Sequence, residues 1–417
     1  MKKLWSAGVY YYGTSEIVRN TIKVSMQFAS TIDTGAMRKV LDMTQKRYPY
    51  FSIKMVKTDK EIMLEDNELP WVLKEGEEPI ELGGRESNFH MIAFRYKENW
   101  LYIDAFHGMS DGKGLMNMFR TLIYYYCRAV YDENINPGDA WLVESPILPE
   151  EVEDPYLKLP PRTESVGKAS SEKKTEYMNL AEENKYERTK PYVFRMEFPQ
   201  KELMKYCGEN DGSPATAIAL FAARAIKKIH KDSEKMIGCG IATDLRKALG
   251  TKRSHQSTLT IPILEFTEKI ANSEFELQGT AFRGQVLLKC DADALMDGIY
   301  ASNTLYRFID SLPTIEEKEK TMQNIVKMKF RGPTASVSYV GRSNFGECEK
   351  YIKQLFMEVP GTGVMLELAS LNDIFCLTFI QEWEERIYFD MFCKELEECG
   401  ITYTLKSEGP LEISRIK

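Results

Sequence analysis

The sequence predicts a layered α/β protein built in two parts, and three observations carry that prediction. At 417 residues the chain is long for one domain and comfortable for two. Roughly the first 130 residues alternate between period-two and period-3.6 hydrophobic patterns, as expected when strands and helices take turns. A stretch rich in proline and charge, from Asp132 to about Pro191, then interrupts the pattern before it restarts. These features place a first unit at 1–185, ending in a linker from about residue 132, and a second unit at 186–417.

Within the first unit, Ile22 to Ala29 reads as a strand, and Thr34 to Arg47 as a helix whose apolar stripe is Met37, Val40, Leu41 and Met43, with Asp33 as N-cap. Short extended runs follow at Phe51 to Val56 and Met91 to Tyr96, then a stronger one at Trp100 to Phe106. A polar, glycine-containing turn leads into a long apolar helix from about Lys113 to Tyr131. The linker contains Ile147-Leu148-Pro149-Glu150-Glu151, Leu159-Pro160-Pro161-Arg162 and Ser170-Ser171-Glu172-Lys173-Lys174, a composition expected to bury little. The second unit opens with a strand at Tyr192 to Phe198 and a helix from Pro214 to Ile229, capped by Ser213 with Pro214 in its first turn. Further strands are expected at Met236 to Thr243, Thr258 to Phe266, Ala335 to Val340, Gly363 to Ala369, Ile374 to Gln381 and Ile387 to Asp390. Helices are expected at Ser273 to Lys289, Leu295 to Ile309, Cys348 to Phe356 and Met391 to Cys399.

Composition excludes several functions. A net charge of −7 argues against a general nucleic-acid binder, which needs a basic surface to neutralise phosphates. The aromatic opening Leu4-Trp5-Ser6-Ala7-Gly8-Val9-Tyr10 does not resemble the apolar core of a signal peptide. No run approaches the roughly 18 apolar residues of a membrane helix, so a cytoplasmic protein is expected, without membrane insertion. The eight cysteines form no Cys-x-x-Cys pair and read as reduced, mostly buried thiols. Of the four histidines, His90, His107, His230 and His255, no two stand at metal-ligand spacing, and no metal site is expected. His230 reads as a surface residue at a helix end, and the runs Tyr10-Tyr11-Tyr12 and Tyr124-Tyr125-Tyr126 as core and cleft lining.

The segment that carries chemistry is Phe106-His107-Gly108-Met109-Ser110-Asp111-Gly112-Lys113-Gly114. An alternating strand, Leu101 to Phe106, delivers His107 at its end, where the ring can enter a cleft while its backbone stays anchored. Asp111 sits where the next helix begins, and Gly112 and Gly114 permit a tight return from strand to helix. The residues alone also allow a plainer account, a strand-end histidine and an aspartate serving only as N-cap.

His107-x-x-x-Asp111-Gly112, after a strand and before a helix, resembles the chloramphenicol acetyltransferase and condensation-domain superfamily, which includes alcohol acetyltransferases and plant acyltransferases. Asp244-Leu245-Arg246 is similar to that superfamily's Asp-x-Arg element, and Ser336-Val337-Ser338-Tyr339-Val340-Gly341-Arg342 to its later serine-bearing strand. The chain departs from the pattern at Phe106, where many members carry another histidine, and at Tyr339, where alcohol acetyltransferases tend to have Asn. The resemblance implies two chloramphenicol-acetyltransferase-like halves, each a mixed sheet with helices, and an active-site channel between them. It implies His107 as general base, an Asp111–Arg246 ion pair shaping its loop beside Gly112, and Ser338, with Ser336 as alternative, donating to the oxyanion.

Under that resemblance, an acyl-CoA such as acetyl-CoA would be co-substrate, with no permanently bound cofactor. Lys252 and Arg253 would meet its phosphates, although Gly250 to Ser254 also reads as a solvated basic turn. The acceptor would be a small-molecule alcohol or amine. Two rivals remain: a free-standing condensation-type enzyme taking its donor from a carrier protein, and a non-catalytic binding protein of the same fold.

Overall fold

The structure is a computed structural model that describes residues 1–15, 19–159, 175–187, 190–329 and 332–417. It is a mixed α/β protein with two large sheets meeting along a seam. The first sheet has five strands in the order Ile352–Glu358, Thr21–Phe28, Trp100–Phe106, Ile92–Lys97, Leu73–Glu75, parallel only at its last pair. Ile22, Val24, Met26 and Phe28 point from one face into a core shared with Met37, Val40 and Leu41 of helix Thr34–Arg47 and Leu115, Met118 and Leu122 of helix Gly112–Val130. The opposite face of the same strand buries Thr21, Lys23 and Ser25. Asp33 caps its helix as expected, accepting from the Ala36 N–H at 2.9 Å.

The second sheet has seven strands in the order Ile263–Phe266, Ile237–Ile241, Ala335–Arg342, Val364–Leu371, Ile374–Gln381, Tyr192–Pro199, Thr404–Pro410. Helices Pro214–Ile229 and Ile387–Glu398 cover one face, packing on Phe194, Met196, Leu366, Leu368, Leu377 and Phe379. The other face carries Arg195, Ser336, Ser338, Glu367 and Thr378. It turns toward the first sheet: Arg195 is ion-paired with Glu358, and Ala369, in line with Glu367, joins the first core.

Several expectations change. Cys348 to Phe356 is not a helix but a 3₁₀ turn, Gly346–Tyr351, followed by strand Ile352–Glu358. Its apolar residues Ile352, Leu355 and Phe356 imitate helical spacing because the strand is buried on both faces as it pairs with Thr21–Phe28. Through this strand, sequence from beyond residue 350 returns to the first sheet. The tail does so too, with Arg415 and Lys417 bonded to the backbone of Leu82.

Ile387 to Asp390, expected as a strand, is the first turn of helix Ile387–Glu398, where Phe389, Phe392 and Leu396 form the buried helical stripe. The expected strand Thr258 to Phe266 divides at Pro262 into Leu259–Thr260 and Ile263–Phe266. The linker buries more than its composition suggests. Ile135, Glu151 and Tyr156 are all sealed against the first core, while 160–174, including the Ser170-Ser171 tract, lie outside the described residues. Strands Ile62–Asp66 and Thr404–Pro410 and helix Ile315–Lys329 were not anticipated.

All eight cysteines are free, six of them buried. The tyrosine runs do line the core, with Tyr12, Tyr124, Tyr125 and Tyr126 buried. His230 is not a surface cation: it is half-buried, its Nε2 lies 2.6 Å from the Tyr388 hydroxyl, and burial lowers its pKa. Among the described residues no helix is long and apolar enough to cross a membrane, and no cluster of His, Cys, Asp and Glu could hold a metal.

Candidate active site

Strand Trp100–Phe106 ends at His107, as its alternation predicts, and helix Gly112–Val130 begins five residues later. The intervening loop is fixed on all sides. The His107 N–H donates to the Asn20 carbonyl at 2.7 Å, and the Trp5 indole N–H donates to the Gly108 carbonyl. The Ser110 hydroxyl donates to the His255 carbonyl at 2.5 Å. Gly114 packs so tightly that a Cβ there would run into that same His255 carbonyl and the Ser110 hydroxyl, so the sequence requires glycine at this point.

The His107 side chain is half-buried at this junction. Burial lowers its pKa from the ordinary 6.5, while a hydrogen bond to its own backbone carbonyl and the nearby Asp111 charge oppose the shift in part. A neutral imidazole leaves one ring nitrogen with a free lone pair, which is the form a general base needs.

Asp111 satisfies both accounts of it at once. As N-cap it accepts from the Gly114 N–H at 2.8 Å. The same carboxylate receives Arg246 through two parallel bonds, Nη2 to Oδ1 at 2.8 Å and Nη1 to Oδ2 at 3.0 Å, and the Thr258 N–H at 2.9 Å. Both residues are buried, at 4% and 3% exposure. Arg246 also donates to the Ser254 and Gln256 carbonyls and to Asp244, which Lys113 holds from the first part of the chain at 2.6 Å. Burial alone would depress the Arg246 pKa, but Asp111 and Asp244 outweigh it and hold the guanidinium charged. The paired residues come from segments 135 positions apart, so the loop bearing His107 is clamped to the second part of the chain.

Sequence reasoning missed the second clamp. Glu151 is fully buried against Nη1 and Nη2 of Arg47, at 2.9 and 3.0 Å, and accepts from the Tyr50 hydroxyl at 3.0 Å. Its backbone carbonyl holds the Nδ1 of His255, whose ring lies 4.4 Å from that of Tyr50. Sealed there, His255 has its pKa pushed down to about 4, chiefly by burial. Nothing in the local sequence of a Pro-Glu-Glu turn announces these partners, which come from about 100 residues away on either side.

Ser338 and Ser336 share one face of strand Ala335–Arg342, and Val340 on that face reaches the Cβ position of Gly112 within 3.0 Å. Ser338 is half-buried, whereas Ser336 is buried against Gly240. Tyr339 points to the opposite side, its ring meeting Phe375. The Ser338 hydroxyl bonds Glu367, a buried carboxyl group unmarked by any sequence signal. Lys252 and Arg253 lie in the turn after the arginine element. Their backbone N–H groups donate to Glu150, the Lys252 side chain is exposed, and the Arg253 guanidinium sits 4.9 Å over the Trp141 ring.

The fold is that of two-lobed acyltransferases and condensation domains. The structure of polyketide synthase associated protein 5 from Mycobacterium tuberculosis superposes with a TM-score of 0.62, at 12% identity over 94% of this chain and 95% of that one. F. graminearum TRI101, crystallised with coenzyme A and T-2 mycotoxin, gives 0.60 at 11% identity over 96% and 99%. The starter condensation domain of rhizomide synthetase RzmA gives 0.55 at 10% identity over 96% of both chains. No protein-family model matches the sequence, and no curated protein matches it.

Proposed function

We propose that this protein is a cytoplasmic acyltransferase that moves an acyl group from an acyl-CoA thioester to a hydroxyl or amine of a small molecule. The observation that carries the reading is His107: a half-buried ring at the junction of the two parts, its backbone anchored on the Asn20 carbonyl and its neutral form favoured by burial. In the proposed reaction the free ring nitrogen removes the proton from the acceptor O–H or N–H as that atom bonds to the thioester carbon. The carbonyl π electrons move onto oxygen, where Ser338 donates to the developing oxyanion. Collapse breaks the C–S bond, and the departing thiolate takes the proton from His107, which restores the base. An oxyanion donor of this kind contributes about 2.7–4 kcal/mol, and a positioned base about 10²–10⁴ in rate.

Asp111 and Arg246 take no part in proton transfer; they shape the loop that aims His107. Gly112 allows strand Ala335–Arg342 to approach the start of the helix. Donor and acceptor would reach His107 through a channel between the halves, where exclusion of water suppresses hydrolysis of the thioester. Lys252 and Arg253 would contact the coenzyme A phosphates. The likeness to a condensation domain supports a second reading, in which the donor thioester is carried on the phosphopantetheine of a carrier protein.

The test incubates purified protein with acetyl-CoA and longer acyl-CoAs against a pool of alcohols and amines, following free thiol. Acceptor-dependent thiol release that falls by about 10²–10⁴ in His107→Ala is the expected result. Release only from acylated carrier protein transfers the reading to the second donor. No release from either donor defeats catalysis and leaves a binding protein of this fold.

A further inference from the structure

The seam-facing side of the second sheet carries a row of polar residues in direct cross-strand register: Ser338 opposite Glu367, Glu367 opposite Thr378, and Thr378 opposite Arg195. Directly paired residues project from the same face and touch. Arg195 spends its charge on Glu358, which Lys23 also holds at 3.1 Å. Glu367 differs. It is 3% exposed, no cation pairs with it among the described residues, and the group bound to it is the Ser338 hydroxyl. Thr378 is fully buried, and its hydroxyl has no hydrogen-bond partner among the described residues.

A carboxylate buried without a counter-ion is costly, and such a group stays neutral more readily than it ionises. Burial raises the Glu367 pKa to about 7, with the Ser338 hydrogen bond opposing. The charged and titratable neighbours do not change this. Lys23 on strand Thr21–Phe28 and Arg195 on Tyr192–Pro199 both hold the single carboxylate of Glu358 on Ile352–Glu358, a trio with one net positive charge whose ion pairs are directed at Glu358 and not at Glu367. Glu197 is paired with Lys406, Tyr339 on the adjacent strand faces the other way, and the Cys376 thiol, pushed up to about 12, remains uncharged.

We propose that Glu367 is a positioning residue that sets where the Ser338 hydrogen points. A serine hydroxyl has one hydrogen to give. When Glu367 is ionised it captures that hydrogen, and an oxyanion forming nearby loses its donor. When Glu367 is protonated its own O–H donates to the Ser338 oxygen, and the serine hydrogen turns toward the thioester oxygen. A growing negative charge beside the pair favours the neutral carboxyl group, so the reaction itself draws the pair toward the competent state. This rests on the reading of Ser338 as oxyanion donor.

The experiment is the pH dependence of kcat/KM for acceptor-dependent thiol release in wild type, Glu367→Gln and Ser338→Ala. For wild type the rate constant falls as pH rises through about 7, because kcat/KM reports groups of the free enzyme. Its floor is the Ser338→Ala level, about 10²–10³ below the maximum. An amide can donate to the serine oxygen at every pH, so Glu367→Gln keeps the neutral-pH rate and loses the alkaline decline. Ser338→Ala is slow throughout and lacks the decline as well. An alkaline limb that persists in Glu367→Gln or in Ser338→Ala overturns the role of Glu367, while a slow Ser338→Ala leaves the oxyanion assignment standing. A Ser338→Ala enzyme at the wild-type rate overturns both, as does a wild type that releases no thiol.

Discussion

Replacing Asp111 with asparagine tests the clamp between the two parts of the chain at a single atom. The carboxylate accepts four N–H groups, from Gly114, Thr258 and two Arg246 nitrogens, at 2.8 to 3.0 Å. Asparagine caps a helix as well as aspartate does, so its remaining oxygen can still serve Gly114. Its NH₂ group then takes the place of Oδ2 and faces both Arg246 Nη1 and the Thr258 N–H, donor against donor. Breaking a buried pair from one side costs about 3–5 kcal/mol. Asp244 still holds Arg246 at 2.9 Å and the cap survives, so the lower end, about 3 kcal/mol, applies. At roughly 2–4 °C per kcal/mol for a large cooperative unit, the melting temperature should fall by about 6–12 °C. Activity should fall with it, because the displaced residue ends the loop that carries His107, the proposed base. Thermal unfolding by circular dichroism and the thiol-release assay measure the two effects. Adding Arg246→Met should cost less than the sum of the single changes, since it removes the stranded cation. An Asp111→Asn protein with unchanged melting temperature and normal rate would refute the clamp.

Two other perturbations bear on the site. His255 is held neutral with its pKa at about 4, whereas in the unfolded chain it titrates near 6.5. Between those values the unfolded state binds the extra proton, so stability declines as pH falls from about 6.5 toward 4, by about 3 kcal/mol over the window. His255→Gln should flatten that decline in melting temperature measured against pH, and an equally steep decline would count against the sealed ring. Lys252→Ala should raise KM for acyl-CoA several-fold and leave KM for the matching acyl-pantetheine unchanged, in steady-state assays with both donors. Equal effects on both donors would remove Lys252 from phosphate binding.

What the sequence made legible was local. The alternation of Trp100 to Phe106, the glycines at 112 and 114 and the Asp111 cap lie within fifteen residues, and period and turn chemistry are enough to read them. The Asp111–Arg246 pair came into view only through the resemblance, because no physical signal in one sequence joins residues 135 apart. Glu151, His255 and Glu367 stayed invisible for the same reason: each acquires its character from burial against distant segments, and an isolated Glu or His reads as surface. Ile352–Glu358 was misread because burial on both faces erased the alternation that marks a strand. Ile387 to Asp390 was misread because Ile-Tyr-Phe favours strands intrinsically, whereas packing of Phe389 on Phe194, rings 4.1 Å apart, decides for the helix.

The return of strand Ile352–Glu358 to the edge of Thr21–Phe28 also governs how the molecule is made. During synthesis the amino-terminal sheet must wait, its outer edge unpaired, until residues 352–358 have left the ribosome. An open edge of this kind invites pairing with other chains. Truncation anywhere before residue 352 would therefore yield an aggregation-prone fragment in place of an independently folded amino-terminal module.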